Sequence, residues 1–276
     1  ADPDLDTDLE AWSAPDCDLP RLTLLGPVQL RCRGTTQPQR KAYMTGVLAC
    51  IAAHPGGITP DELAESLHLS PQKTRAYVQT VRQWLGTNPR TGTPHLPDAR
   101  QAPAAQARGV AVYQVQDLLV DADLFRRLRL RGQARGDHGT TDLARALSLV
   151  QGRPYNRTEA AAWAWLYESD RDDHHLAAAI VDVAHIVTTQ ALADGDTPQA
   201  LLATQTALLA APDEEIPHLD LAAIAKAEGR NGDAHRILRE QVLTRTDDDG
   251  PPTDLSPRTE AIVKHHGWEH PDTRTG

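Results

Sequence analysis

Residues 59–86 read TPDELAESLHLSPQKTRAYVQTVRQWLG and hold two helix starts, one tight turn and one helix stop. Thr59 is an N-cap residue, Pro60 suits the first helical position, and Glu62 three residues after the cap completes a capping box. Beyond Leu67-His68-Leu69 the signal repeats with Ser70 and Pro71, and Gly86 closes the second helix. That helix spaces Ala76, Tyr77, Val81, Trp84 and Leu85 as one apolar stripe. Its other side carries Lys73, Arg75, Gln79 and Arg82, with no acid anywhere in the helix. Helix, short turn, then a basic helix is helix-turn-helix order, so Lys73, Thr74, Arg75, Gln79 and Arg82 are expected to reach bases or phosphates of double-stranded DNA.

Upstream, Arg21–Leu25 and Val28–Cys32 cluster apolar residues around Gly26-Pro27 and predict a short hairpin. Residues 39–54 carry Tyr43, Val47, Leu48 and Ile51 at helical spacing, and Pro55-Gly56-Gly57 ends that helix. Downstream, the Gly- and Pro-rich residues 87–109 predict a mobile wing loop, and Val110–Val115 a strand whose nearest candidate partner is Pro94–Pro97. The loop's Arg90, Arg100 and Arg108 suit a position near phosphates, and Arg100 and Arg108 join the expected DNA contacts.

From Leu124 onward the pattern is helical almost throughout. Leu124, Phe125, Leu128 and Leu130 open it, Gly132–Gly136 is expected to break it, and long apolar stretches follow to residue 244. ALADGDTPQA at 191–200 and AKAEGRNGDA at 225–234 share their Ala and Gly positions 34 residues apart, the length of a tetratricopeptide repeat. Stacked helix pairs of that kind bury a continuous core and leave a groove for partners.

Charge divides along the same lines. Residues 1–19 hold seven acids and no base, residues 20–116 hold eleven Lys and Arg against four acids, and residues 117–276 hold seventeen against twenty-seven. A basic segment beside an acidic one is expected where only one of them meets a polyanion. The composition, 40% hydrophobic with one Phe and one Met, suits closely packed Leu, Val, Ile and Ala. No uninterrupted apolar run nears the ~18–20 residues of a membrane span, so no direct membrane insertion is expected. The start, ADPDLDTDLE, lacks the order of a secretory signal. Cys17, Cys32 and Cys50 match no metal or redox spacing and read as buried free thiols in a reducing cytoplasm.

Residues that could carry chemistry are few. Asp172 and His175 lie three apart on one helix but lack a third ligand, so Asp172–His175 reads as a charged helix start. His265-His266 reads as surface, and Asp247–Asp249 as an acidic linker before Gly250-Pro-Pro252. No P-loop, G-x-S-x-G or H-E-x-x-H occurs and no catalytic set can be assembled, so neither an enzyme, a metal nor a cofactor is expected.

Together, Leu22–Leu30, Leu63–Gly86, Val120–Phe125 and Ala144–Pro154 (ARALSLVQGRP) resemble the bacterial transcriptional activator domain of actinobacterial regulators of the Streptomyces antibiotic regulatory type, over residues 20–245. The resemblance implies a winged helix that binds DNA and a helical domain that binds a protein partner or dimerises. One departure is Leu67-His68-Leu69, where that family commonly has Trp-Gly. His95-Leu-Pro97, Ala162-Trp-Ala-Trp165 and Ile180–His185 are also similar to the C-terminal part of large actinobacterial membrane proteins that carry a LysM domain. A C-terminal piece of that kind would account for an opening without Met.

The expected fold is mainly α: an acidic disordered leader (1–19), a winged helix-turn-helix (20–116), an all-α tetratricopeptide-like domain (117–246) and an acidic, Pro-rich tail (247–276). Two functions fit it. One is a cytoplasmic DNA-binding transcriptional regulatory module; the other is a protein-interaction module without DNA binding at the cytoplasmic end of a membrane-anchored protein.

Overall fold

The computed structural model describes residues 2–32, 40–156, 160–168, 171–243, 257–265 and 268. Asp247–Asp249 and His266 lie outside them, as does the side chain of His265. The fold is mainly α, a winged helix-turn-helix joined to an all-α helical domain, and the chain divides into two compact units. The first comprises residues 1–130 and 152–176, the second residues 131–151 and 177–276. A cut at 116, drawn from sequence pattern, therefore divides the first unit.

In the first unit a three-stranded sheet has the order β2-β1-β3. Strand β1 (Arg21–Thr23) runs antiparallel to β2 (Gln29–Arg31), and parallel to β3 (Leu119–Val120). The hairpin expected around Gly26-Pro27 is thus present, and the third strand comes from far along the chain. Asp121 joins the same ends: its buried carboxylate accepts from the backbone N–H of Leu24 (2.7 Å) and Leu25 (3.1 Å). Helix α2 (Lys41–Ala52) buries Val47, Leu48 and Ile51. A Cβ on its Gly46 would lie 2.6 Å from Ala162 Cβ, so residue 162 packs directly on this helix. Tyr155 stands edge-on to Trp163 and Trp165, and its hydroxyl donates to Asp172 (2.7 Å), which also pairs with Arg126. Burial and the Asp172 charge push the Tyr155 phenol well above its ordinary range.

The acidic leader is not wholly irregular, contrary to expectation. Leu5–Ser13 form α1, with Leu5 and Leu9 buried. Arg127 binds Asp2 and Asp8, at 2.6 Å to each, and Arg21 donates to the carbonyls of Trp12 and Ala14 at its C-terminal end. Asp8 and Asp2 share one cation, Arg127, that lies 119 and 125 residues away in the sequence, so local spacing gives no sign of the pairing.

Helices α3 (Pro60–Ser66) and α4 (Pro71–Leu85) form the helix-turn-helix. The capping box is complete: Thr59 Oγ1 accepts from Glu62 N (3.2 Å) and Glu62 Oε2 accepts from Thr59 N (2.8 Å). Those bonds hold the Glu62 carboxyl below its usual range. The turn is bought at His68, which takes φ 50° while Leu69 N donates to Ala64 O (2.9 Å). This is the left-handed position that glycine occupies without strain.

The second unit is built from α7 (Thr140–Leu147), most of α9 (Asp172–Ala193), α10 (Thr197–Ala210), α11 (Glu215–Ala227), α12 (Asn231–Ile237) and α13 (Pro257–His265). The recurrence at 34 residues has a shared geometry. Gly195 and Gly229 take φ 76° and 77°, and Asp196 N→Ala191 O and Arg230 N→Ala225 O are both 2.8 Å. Each is the bond of a Schellman stop, and Ala191, Ala200, Ala225 and Ala234 are all buried.

Several expectations need correcting or refining. The helical pattern does break within Gly132–Gly136: α6 (Asp121–Ala134) ends there and Gly136 takes φ 57°, while Gly132 itself is still helical. Its role is close approach: a Cβ on Gly139 would stand 1.9 Å from Gly132 O. Of the residues that open the pattern, Leu124, Phe125 and Leu128 are buried and Leu130 is 72% exposed. Part of the tail, residues 257–265, is helical. Helix α9 contains an 18-residue window of mean hydropathy 1.6, long and apolar enough to cross a membrane. Half of it is buried here, with Thr188 bonded to Thr204 (3.0 Å) and His185 to Asp220 (2.7 Å), which are core-helix contacts. Of the three cysteines only Cys50 is fully buried, its thiol pushed up to about 12; Cys17 and Cys32 are half-buried.

Two predictions follow from these contacts. His68→Gly should gain about 1 kcal/mol by relieving the left-handed backbone, read as a higher urea midpoint; a lower one would show that the His68 side chain outweighs the strain. Burial raises the Asp121 carboxyl to about 6 against its three backbone donors. A folded value above the unfolded 3.8 makes stability greatest below pH 4 and lost progressively up to pH 6. Thermal midpoints across that window should show a component of decline that is absent in Asp121→Asn.

Candidate nucleic-acid interface

Helix α4 starts at Ser70, whose side chain accepts from Lys73 N (3.4 Å), with Pro71 at the first position, and Gly86 ends it at φ 72°. Its buried positions are Thr74, Val78, Val81, Trp84 and Leu85, and it packs on α2 and α3. The stripe is therefore turned from the one read in the sequence. Ala76 is exposed and Tyr77 half-buried, while Thr74, taken as a DNA contact, is 1% exposed. Its hydroxyl is spent on Ser70 O (3.1 Å). A threonine looks polar in sequence but fills a core position once its Oγ1 is satisfied within the helix.

Lys73 and Arg75 are exposed, on opposite sides of the outward face. The Lys73 ammonium lies 5.7 Å from the Tyr77 ring centroid and the Arg40 guanidinium 5.8 Å from the same ring. Arg40 Nη1 also donates to Tyr77 Oη (3.1 Å), and Tyr43 stands edge-on at 5.2 Å. Sequence reasoning did not single out Arg40 or place Tyr77 beside Lys73. Tyr77 falls in the apolar stripe by spacing, and the available signal for Arg40 is the Arg40-Lys41 pair opening α2.

Arg82 and Gln79 are engaged elsewhere. Arg82 Nε donates to Leu96 O (2.7 Å), Nη2 to Pro97 O (3.0 Å) and Nη1 to Gln79 Oε1 (2.7 Å). Arg82 thus fastens α4 to the segment after it. That segment, expected to be a mobile wing loop, is ordered by internal bonds. Thr87 bridges Pro94, Asn88 binds Asp117 (2.6 Å), and residues 103–108 form α5. Gln116 N donates to His95 O (2.7 Å), linking the expected partner stretch to the end of the expected strand, whose bridge is Tyr113 to Ile58. Burial raises the Tyr113 phenol, opposed by the charges of Arg75 and Arg82. Arg108 donates to the carbonyls of Gly56 and Gly57, both at 3.1 Å, so it too is tied to backbone. Arg90 and Arg100 are exposed. Of the seven expected contacts, Lys73, Arg75, Arg100 and Arg108 are exposed cations, Arg108 with its Nη1 on backbone carbonyls.

Other chemistry is sparse. Among the described residues no group of three His, Cys, Asp or Glu is placed to hold a metal. Asp172 is committed to Tyr155 and Arg126, which explains why it makes no pair with His175. In the second unit a groove of about 410 Å³ is lined by His185, Thr189, Leu192, Asp220, Arg258 and Ile262, among others. Asp220 Oδ2 at its wall has no hydrogen-bond partner among the described residues.

Comparison with known proteins finds no matching family model and no match among curated proteins. Among solved structures, the chain is similar to Mycobacterium tuberculosis EmbR in complex with low affinity phosphopeptide. The TM-score is 0.56 at 20% identity over 91% of this chain. The match spans 66% of the length of that neighbour and is a likeness of fold.

Proposed function

We propose that this chain is a non-enzymatic, DNA-binding transcriptional regulatory module of the Streptomyces antibiotic regulatory type, acting in the cytoplasm. Helix α4 enters the major groove, and Lys73, Arg75 and Arg40 meet phosphates along its walls. The observation that carries this reading is the acid-free outward face of α4, with exposed cations on both sides, in a helix-turn-helix. Arg100 and Arg90 add charge on the segment that follows. The second unit holds a partner protein or a second copy, with its 34-residue units stacked in tetratricopeptide-like fashion.

A specific observation favours the second reading, an interaction module without DNA binding at the cytoplasmic end of a membrane-anchored protein. Helix α10 exposes Leu201, Leu202 and Leu209, and two of the expected DNA-contact arginines, Arg82 and Arg108, are committed to backbone carbonyls.

The test uses the whole chain, because residues 20–116 are only part of the first unit. Binding to mixed-sequence duplex DNA should fall steeply between 50 and 200 mM salt, as expected for multiple phosphate contacts. Arg75→Ala and Lys73→Ala should each weaken binding and reduce the salt slope by about 1 without moving the thermal midpoint. Arg82→Ala should instead cost about 1–3 kcal/mol of stability, since it removes hydrogen bonds from a charged group. Absence of binding even at low salt would replace this reading with the second.

A further inference from the structure

Helix α4 has a third feature besides its cations and its buried stripe. Gln72, Ala76, Gln79 and Gln83 are all exposed and follow one another at steps of four, three and four residues. At about 100° per residue they form a single ridge opposite Val78, Val81 and Leu85, with Arg75 on one flank and Lys73 on the other. The most outward line of the helix is therefore uncharged. Three of its four members are amides and the fourth is a methyl group.

Resting on the DNA-binding reading, we infer that this ridge selects A·T base pairs in the major groove. A glutamine amide offers one donor and one acceptor, matching adenine N7 and N6 together, and an alanine methyl packs against the thymine C5-methyl. Guanine is read most often by Arg or Lys through O6 and N7, and no ridge position carries either. The cations sit where they meet the sugar-phosphate walls, which position the helix without reading sequence. Gln72 and Gln83 are the adenine readers. Gln79 shares its Oε1 with Arg82 (2.7 Å), so its amide NH2 is the part left wholly for a base, toward adenine N7 or thymine O4. Arg82 thereby lowers the discrimination that Gln79 alone would give.

Selection from a randomised duplex pool with the full chain should enrich adjacent A·T pairs. Gln83→Ala, at an exposed position, should lower the ratio of selected-site to random-duplex affinity about tenfold. Replacing thymine by uracil in the selected site, which removes only the C5-methyl, should weaken wild-type binding a few-fold. Salt-sensitive binding that enriches G·C pairs, or a Gln83→Ala ratio equal to wild type, would overturn the inference and leave the DNA-binding reading standing. No DNA binding at low salt would overturn both.

Discussion

The grip of Asp121 on the backbone of Leu24 and Leu25 is the constraint around which the first unit is arranged. A buried carboxylate that accepts three backbone N–H groups fixes the start of α6 against the end of β1. With it, β3 is drawn alongside β1 as a parallel neighbour. Parallel pairing needs a long connection, and here the connection is the helix-turn-helix itself with its following segment. The candidate DNA-reading element is thus held at both ends by one small sheet. Leaving those N–H groups unpaired would carry the full desolvation penalty of buried donors.

That closure changes what the arginines can do. Several cations that looked available in the sequence are consumed in holding irregular backbone: Arg82 on Leu96 and Pro97, Arg108 on Gly56 and Gly57, Arg21 on Trp12 and Ala14. A guanidinium presents five donors in a planar fork, which suits it to collecting orphan carbonyls where no helix or strand satisfies them. The local excess of positive charge in residues 20–116 therefore divides: some of it is tied to backbone carbonyls, while Lys73, Arg75, Arg90, Arg100 and Arg40 are exposed.

Local signals were legible and long-range ones were not. The capping box at Thr59, the proline starts at 60 and 71, the Gly86 stop and the hairpin at Gly26-Pro27 are set by residues within a few positions of each other. The rotation of α4 was misread because Thr74 and Val78 bury while Ala76 does not, a choice made by the packing of α2 and α3. The order of the acidic leader depended on Arg127, and the first unit's extent on residues 152–176, for which spacing gives no cue. Gly132 shows the same limit: nothing near it in sequence signals that it makes room for Gly139.

The twin helix stops at Gly195 and Gly229 have a consequence for how the second unit tolerates change. Two turns with the same bonds, 34 residues apart, place buried alanines at matching positions of the helices they join. A side chain at either glycine would meet the same left-handed backbone, so the two turns respond alike to substitution.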